Sequence, residues 1–142
     1  MTIPPDFHVA LSELFASVRR ATGRANRTGG ELTVAQYTLL EPLRDRERLA
    51  VGEVASAAGV AGPSATRALK ALGAAGLVAR EDHPEDGRAV VVSLTAAGRR
   101  ALEEKHDYVS SRERLLWEAL TGEEREHAVG LLRHLAAVIE EL

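Results

Sequence analysis

The chain has 142 residues, is 45% hydrophobic but only 4% aromatic, lacks cysteine and carries a net charge of −3. That length suits one domain with helical extensions, and packing is left to Leu, Val and Ala; the missing cysteines exclude disulfides, thiolate nucleophiles and thiolate metal sites together. The longest apolar runs fall far short of the roughly 20 residues that span a bilayer, and Met1-Thr2-Ile3-Pro4-Pro5-Asp6 lacks the basic start and apolar stretch of a signal peptide, so a soluble cytoplasmic protein is the expectation.

The average charge hides a partition. Residues 103–142 hold ten acids against five bases, whereas residues 59–80 hold Arg67, Lys70 and Arg80 and no acid. Local charge decides where a polyanion docks, and the bulk value governs mainly solubility.

In chain order, Phe7 to about Arg27 reads as a helix with Leu11, Leu14, Phe15 and Val18 at helical spacing, stopped by Gly29-Gly30. Thr33 then reads as an N-cap, with Gln36 completing a capping box. The helix it starts carries Tyr37, Leu39, Leu40 and Leu43, with Pro42 a candidate kink, and Arg44-Asp45-Arg46-Glu47-Arg48 is a solvated connector. Two short helices follow, Val51–Ala58 and about Gly62–Ala75. After Gly76 the period changes to two: Val90, Val92 and Leu94 alternate with Ala89, Val91 and Ser93, a strand whose partner is Leu77–Arg80. Between them Glu81–Gly87, with Pro84 and Asp86-Gly87, carries turn chemistry. Thr95 is placed to cap a long helix from Ala96 to about Leu120, and Thr121, with Glu124 three residues on, to cap the last. The expected fold class is mainly α with a small β-hairpin wing.

The stretch from Val51 to Lys70 has the pattern of a helix-turn-helix. Ala55 is small where two helices would cross, Gly59 sits where the turn needs a left-handed backbone, and Val54, Ala58, Val60, Ala65 and Ala68 take the inward positions. On the second helix, at about 100° per residue, Ala61, Ala65, Ala68, Leu69 and Leu72 share one arc. Thr66, Arg67 and Lys70 lie on the opposite arc, with Ser64 at its edge, and Pro63 suits the first turn. Arg67 can fork onto guanine O6 and N7, Lys70 can reach a base edge or a phosphate, and Ser64 and Thr66 can hydrogen-bond phosphate near the positive end of the helix dipole. An ordinary amphipathic helix with solvated cations would look the same in isolation. The hairpin adds weight: Asp86-Gly87-Arg88 precedes the second strand, where Arg88 can enter an adjacent minor groove. Asp86 can hold Arg88 by an ion pair or simply shape the turn, and His83 is a polar loop residue with a phosphate within its reach.

Val54-Ala55 through Gly59-Val60, Leu72-Gly73-Ala74-Ala75-Gly76-Leu77-Val78-Ala79-Arg80, and Asp86-Gly87-Arg88-Ala89-Val90-Val91-Val92-Ser93-Leu94-Thr95-Ala96-Ala97-Gly98 resemble the multiple antibiotic resistance regulator (MarR) family. The Asp-x-Arg wing running into Leu-Thr-x-x-Gly is the most specific part, and helix length and order extend the likeness over nearly the whole chain. The resemblance implies a homodimer with two winged helix-turn-helix lobes: residues 1–32 an N-terminal dimerisation helix, 33–98 the DNA-binding lobe, 99–142 C-terminal dimerisation helices. It implies a double-stranded DNA-binding transcription regulator, a repressor on a near-palindromic operator, whose affinity small molecules often tune. By position, Ser64, Thr66, Arg67 and Lys70 would face the groove, with Asp86 and Arg88 in the wing. Ala61 departs from the family, which often places Ser or Asp there as a cap; Gly62 can cap instead.

An apolar stripe of Ala128, Leu131, Leu132, Leu135, Val138, Ile139 and Leu142 marks the last helix. The chain's own core or a second copy could bury it. Tyr37, Trp117, His8 and Arg19 are the candidates for an effector pocket, although each reads more readily as an ordinary core or surface residue, and no ligand is assigned. The five histidines are scattered, so no metal or cofactor is expected. No Gly-x-Ser-x-Gly elbow, P-loop or dinucleotide fingerprint points to an enzyme. The competing reading is a winged-helix protein-interaction module without specific DNA binding.

Overall fold

The computed structural model describes residues 1–82 and 90–142. The helices are α1 (Pro5–Arg27), α2 (Val34–Leu40), α3 (Val51–Ala58), α4 (Gly62–Ala74), α5 (Ala96–Ala119) and α6 (Gly122–Glu140); the strands are β1 (Leu49–Ala50), β2 (Val78–Asp82) and β3 (Val90–Leu94). The chain forms two compact units, Met1–His106 and Asp107–Leu142. No helix among the described residues is long and apolar enough to cross a membrane.

Within the first unit the helix ends follow local chemistry. Thr33 Oγ1 accepts the Gln36 amide at 3.1 Å while Gln36 Oε1 accepts the Thr33 amide at 2.9 Å, the reciprocal box its sequence announces. Pro42 does not kink a continuous helix. It sits in a 3₁₀ turn, Glu41–Leu43, that finishes α2, because a proline there can neither donate to the preceding turn nor extend it.

Between α3 and α4, Gly59 has φ 67° and ψ 32°, the left-handed conformation that a side chain would disfavour. It lets the Val60 amide reach back to Ala55 O at 2.9 Å and its own amide reach Ser56 O at 3.2 Å, closing α3 with the paired bonds of a glycine cap. Val54, Ala55, Ala65, Leu69 and Leu72 are buried where the two helices meet the lobe's core. Ala61 is not among them: it is exposed and serves as the α4 N-cap, with no side-chain hydrogen bond. Stepping out of the helix removes it from the apolar arc.

The wing is more than a hairpin. Three antiparallel strands lie in the order β1-β3-β2, with Leu49 opposite Val92 and Ala50 opposite Val91. Two residues are too few to show a period, which is why β1 is missed from sequence. β2 is also displaced from its expected span: it starts at Val78 and includes Glu81 and Asp82, paired with Val91 and Val90. Val91 and Val92, neighbours on the central strand β3, are both buried although their side chains point to opposite faces.

The Leu-Thr-x-x-Gly signature acquires a physical reason at the start of α5. Thr95 Oγ1 accepts the Gly98 amide at 3.0 Å, capping the helix, and donates to Gly76 O at 2.7 Å. The Thr95 amide donates to Leu77 O at 3.1 Å. One residue thus ties α5 to the turn that follows α4. Gly98 permits this closeness, because a Cβ there would lie 1.8 Å from Leu77 O and 2.8 Å from Leu77 C. Those are backbone atoms and cannot swing aside. Gly98→Ala is therefore expected to destabilise the protein by at least about 2 kcal/mol, in the range of overpacked cores, seen as a fall of several degrees in Tm by differential scanning calorimetry.

Further along α5, Lys105 is fully buried and its Nζ donates to Ala25 O and, at 2.9 Å, to Thr28 O. These carbonyls end α1, where a helix leaves acceptors unpaired. Tyr37 OH lies 3.0 Å from His106 Nδ1 and donates to Glu41 Oε1 at 3.3 Å. Arg44 Nε donates to Glu103 Oε1 at 2.8 Å, so part of the charged connector is anchored on α5 rather than merely solvated. The Arg44 hydrogen bond holds the Glu103 carboxyl below the usual carboxylate range. A depressed carboxylate contributes stability above its ordinary pKa and loses it as pH falls through the folded-state value. The Tm difference between the protein and Glu103→Gln should therefore be present at neutral pH and vanish in acid. Thermal melts across pH would check this, and a difference that grew in acid would contradict it.

Candidate nucleic-acid interface

The site is built by α4. One face locks the helix into the lobe through Ala65, Leu69 and Leu72, all essentially inaccessible. The other leaves Ser64, Thr66, Arg67 and Lys70 exposed, so all four sequence-derived residues of this helix share one solvent face. Each has a distinct setting. Arg67 Nη2 donates to Ser64 Oγ at 3.4 Å, one turn back toward the helix start. Thr66 Oγ1 donates to Gly62 O at 3.0 Å, which commits its proton to the helix and leaves its methyl group and lone pairs for a partner. At the helix start, Ala61 lacks a side-chain cap and Pro63 lacks an amide hydrogen, so the first-turn amides are not covered by a side chain. No acid occurs anywhere from 59 to 80.

Asp86, Arg88 and His83 lie outside the described residues. Arg80 is described, exposed on β2, and was not singled out by helix geometry because it belongs to a strand; its signal was membership of the same acid-free run.

The other candidates fall in separate places. Tyr37 is buried, with its hydroxyl hydrogen-bonded as above. Trp117 is half-exposed, with the Arg125 guanidinium 5.4 Å from its ring centroid. His8 and Arg19 are exposed on α1. Among the described residues no group of three or more His, Asp or Glu could hold a metal ion.

Two apolar faces are left uncovered by the chain itself. No residue of α6 is buried, and Leu131, Leu132 and Ile139 are 57%, 63% and 54% exposed. On α1, Leu14, Phe15 and Val18 are likewise about half exposed. The α6 stripe, which sequence could assign equally to an internal core, is not consumed by one.

A helix–turn–helix supported by a three-stranded sheet defines a winged helix-turn-helix protein. Residues 32–90 match the MarR family. An HTH-type transcriptional regulator of Mycobacterium leprae is 36% identical over 67 residues, 47% of either chain, so the match spans about half the length of that curated relative. Bordetella bronchiseptica BpsR, whose structure concerns regulation of its DNA binding by 6-hydroxynicotinic acid, superposes with TM-score 0.74 and 27% identity, covering 88% of this chain and 91% of its own. A mutant MarR from E. coli complexed with operator DNA superposes with TM-score 0.74 and 26% identity, covering 94% and 99%. Residues 32–90 thus carry a MarR-family domain, and the chain as a whole is similar in fold to these regulators.

Proposed function

We propose that this protein is a sequence-specific, double-stranded DNA-binding transcription regulator that acts in the cytoplasm as a homodimer and represses from a near-palindromic operator. The observation that carries the reading is the two-sided build of α4: an apolar face fixed in the lobe, and an acid-free face presenting Ser64, Thr66, Arg67 and Lys70 to solvent. In a major groove, Arg67 serves as the guanine reader and Lys70 binds a base edge or phosphate. Ser64 and the start of α4 approach the phosphate backbone, with Arg88 assigned to the adjacent minor groove and Asp86 to holding Arg88 by an ion pair or shaping the turn.

Homodimerisation is supported by the uncovered apolar faces of α1 and α6. A palindromic site requires two-fold related lobes whose recognition helices sit about 34–36 Å apart, one turn of DNA. Residues 33–98 are thus the DNA-binding lobe, with 1–32 and 99–142 devoted to pairing. Release by a small molecule is proposed by analogy with BpsR.

The test is fluorescence anisotropy of the purified protein on duplexes tiled across the DNA upstream of its own gene, at several salt concentrations. Saturable binding to one near-palindromic tile, falling steeply with salt as counterions are released, is the expected result. Salt-insensitive or absent binding on every tile would favour the winged-helix interaction module instead.

A further inference from the structure

We propose that Arg80 is a further DNA contact, gripping the phosphate strand that runs between the major groove occupied by α4 and the minor groove beside it. The inference rests on the DNA-binding reading above and deepens it.

Alternation along β2 puts Val78, Arg80 and Asp82 on one face of the sheet and Ala79 and Glu81 on the other. Val78 is buried, and this is the face turned to α4. A Cβ built on Gly73 would lie 3.6 Å from Arg80 Cδ and 3.8 Å from Val78 Cγ2, so the Arg80 stem lies across the flank of α4 at a position that carries no side chain. Gly73 follows Lys70 by one turn and Arg67 by two. An arginine laid down this way keeps its methylenes on protein and its guanidinium in water, and Arg80 is indeed exposed. Among the described residues no ion pair engages it, although Asp82 shares its face.

Chain order supplies the rest. A duplex whose major groove receives α4 must carry one backbone past the element that leaves α4, and that element is β2. The cation there meets phosphate, which every sequence has, and not a base edge.

The test compares wild type with Arg80→Gln and Arg80→Lys on the operator and on a scrambled duplex across a salt series, with thermal melts to establish folding. Arg80→Gln should weaken both duplexes by the same factor, and the slope of log K against log salt should fall by about 0.9 for each arginine removed, so by about 2 for a homodimer. Arg80→Lys should keep the slope. A loss confined to the operator, an unchanged slope in Arg80→Gln, or an equal loss in Arg80→Lys would each overturn the proposal while leaving the DNA-binding reading intact. A wild-type protein that binds neither duplex would overturn both.

Discussion

Arg67→Ala should cost the operator complex about 1–3 kcal/mol per half-site, roughly 5- to 150-fold in affinity, while binding to unrelated duplex changes far less. Arg67 is the longest side chain on the exposed face of α4, and nothing acidic between 59 and 80 competes for it. Ser64 Oγ accepts from its guanidinium one turn away, which restrains the side chain before DNA arrives. A fork held near its working orientation loses less entropy on binding a guanine than a free one would. Titrations of both proteins against operator and scrambled duplex measure the ratio of affinities directly. Equal losses on the two duplexes would make Arg67 a phosphate contact and not a reader.

The second large effect is expected on α6. Leu132→Asp combined with Ile139→Asp puts two carboxylates, two turns apart, on a face whose apolar residues the chain itself leaves exposed. In an isolated chain such changes cost little, because both positions already face water. In a homodimer they force unpaired charges into an apolar interface, at several kcal/mol each. Sedimentation equilibrium should find wild type dimeric and the double variant monomeric at micromolar concentration, with circular dichroism confirming that helices are retained. Operator affinity should fall by about 10²–10⁴-fold, the advantage that two linked half-site contacts confer. A variant that remained dimeric would remove α6 from the interface.

Much of the fold was readable because its decisive residues act locally. Thr33 with Gln36, Thr121 with Glu124, and Gly59 each complete a hydrogen-bonding pattern within a few residues of themselves. The face of α4 was readable for a similar reason, since helical periodicity alone separates Ala65, Leu69 and Leu72 from Arg67 and Lys70. Features that depend on partners distant in sequence were harder. β1 exists only because Leu49 and Ala50 meet Val92 and Val91. Lys105 left a faint trace, falling on the stripe of Gly98, Ala101 and Leu102, all buried; its chemistry argued for solvent, and only the carbonyls closing α1 explain its place. The apolar stripe of α6 was visible, yet periodicity cannot say whether the surface that covers it belongs to the same chain. Arg80 escaped because its position on the flank of α4 is set by strand register and by the bare flank at Gly73.

The most direct test of sequence-specific recognition is selection of genomic fragments by the purified wild-type protein in parallel with Arg67→Ala, followed by sequencing of the bound DNA. Wild type should enrich a near-palindrome with half-site centres one helical turn apart, and Arg67→Ala should lose preference at one symmetric guanine pair while retaining salt-dependent binding. Fragments enriched by wild type with no common sequence, or none enriched above input, would contradict sequence-specific recognition.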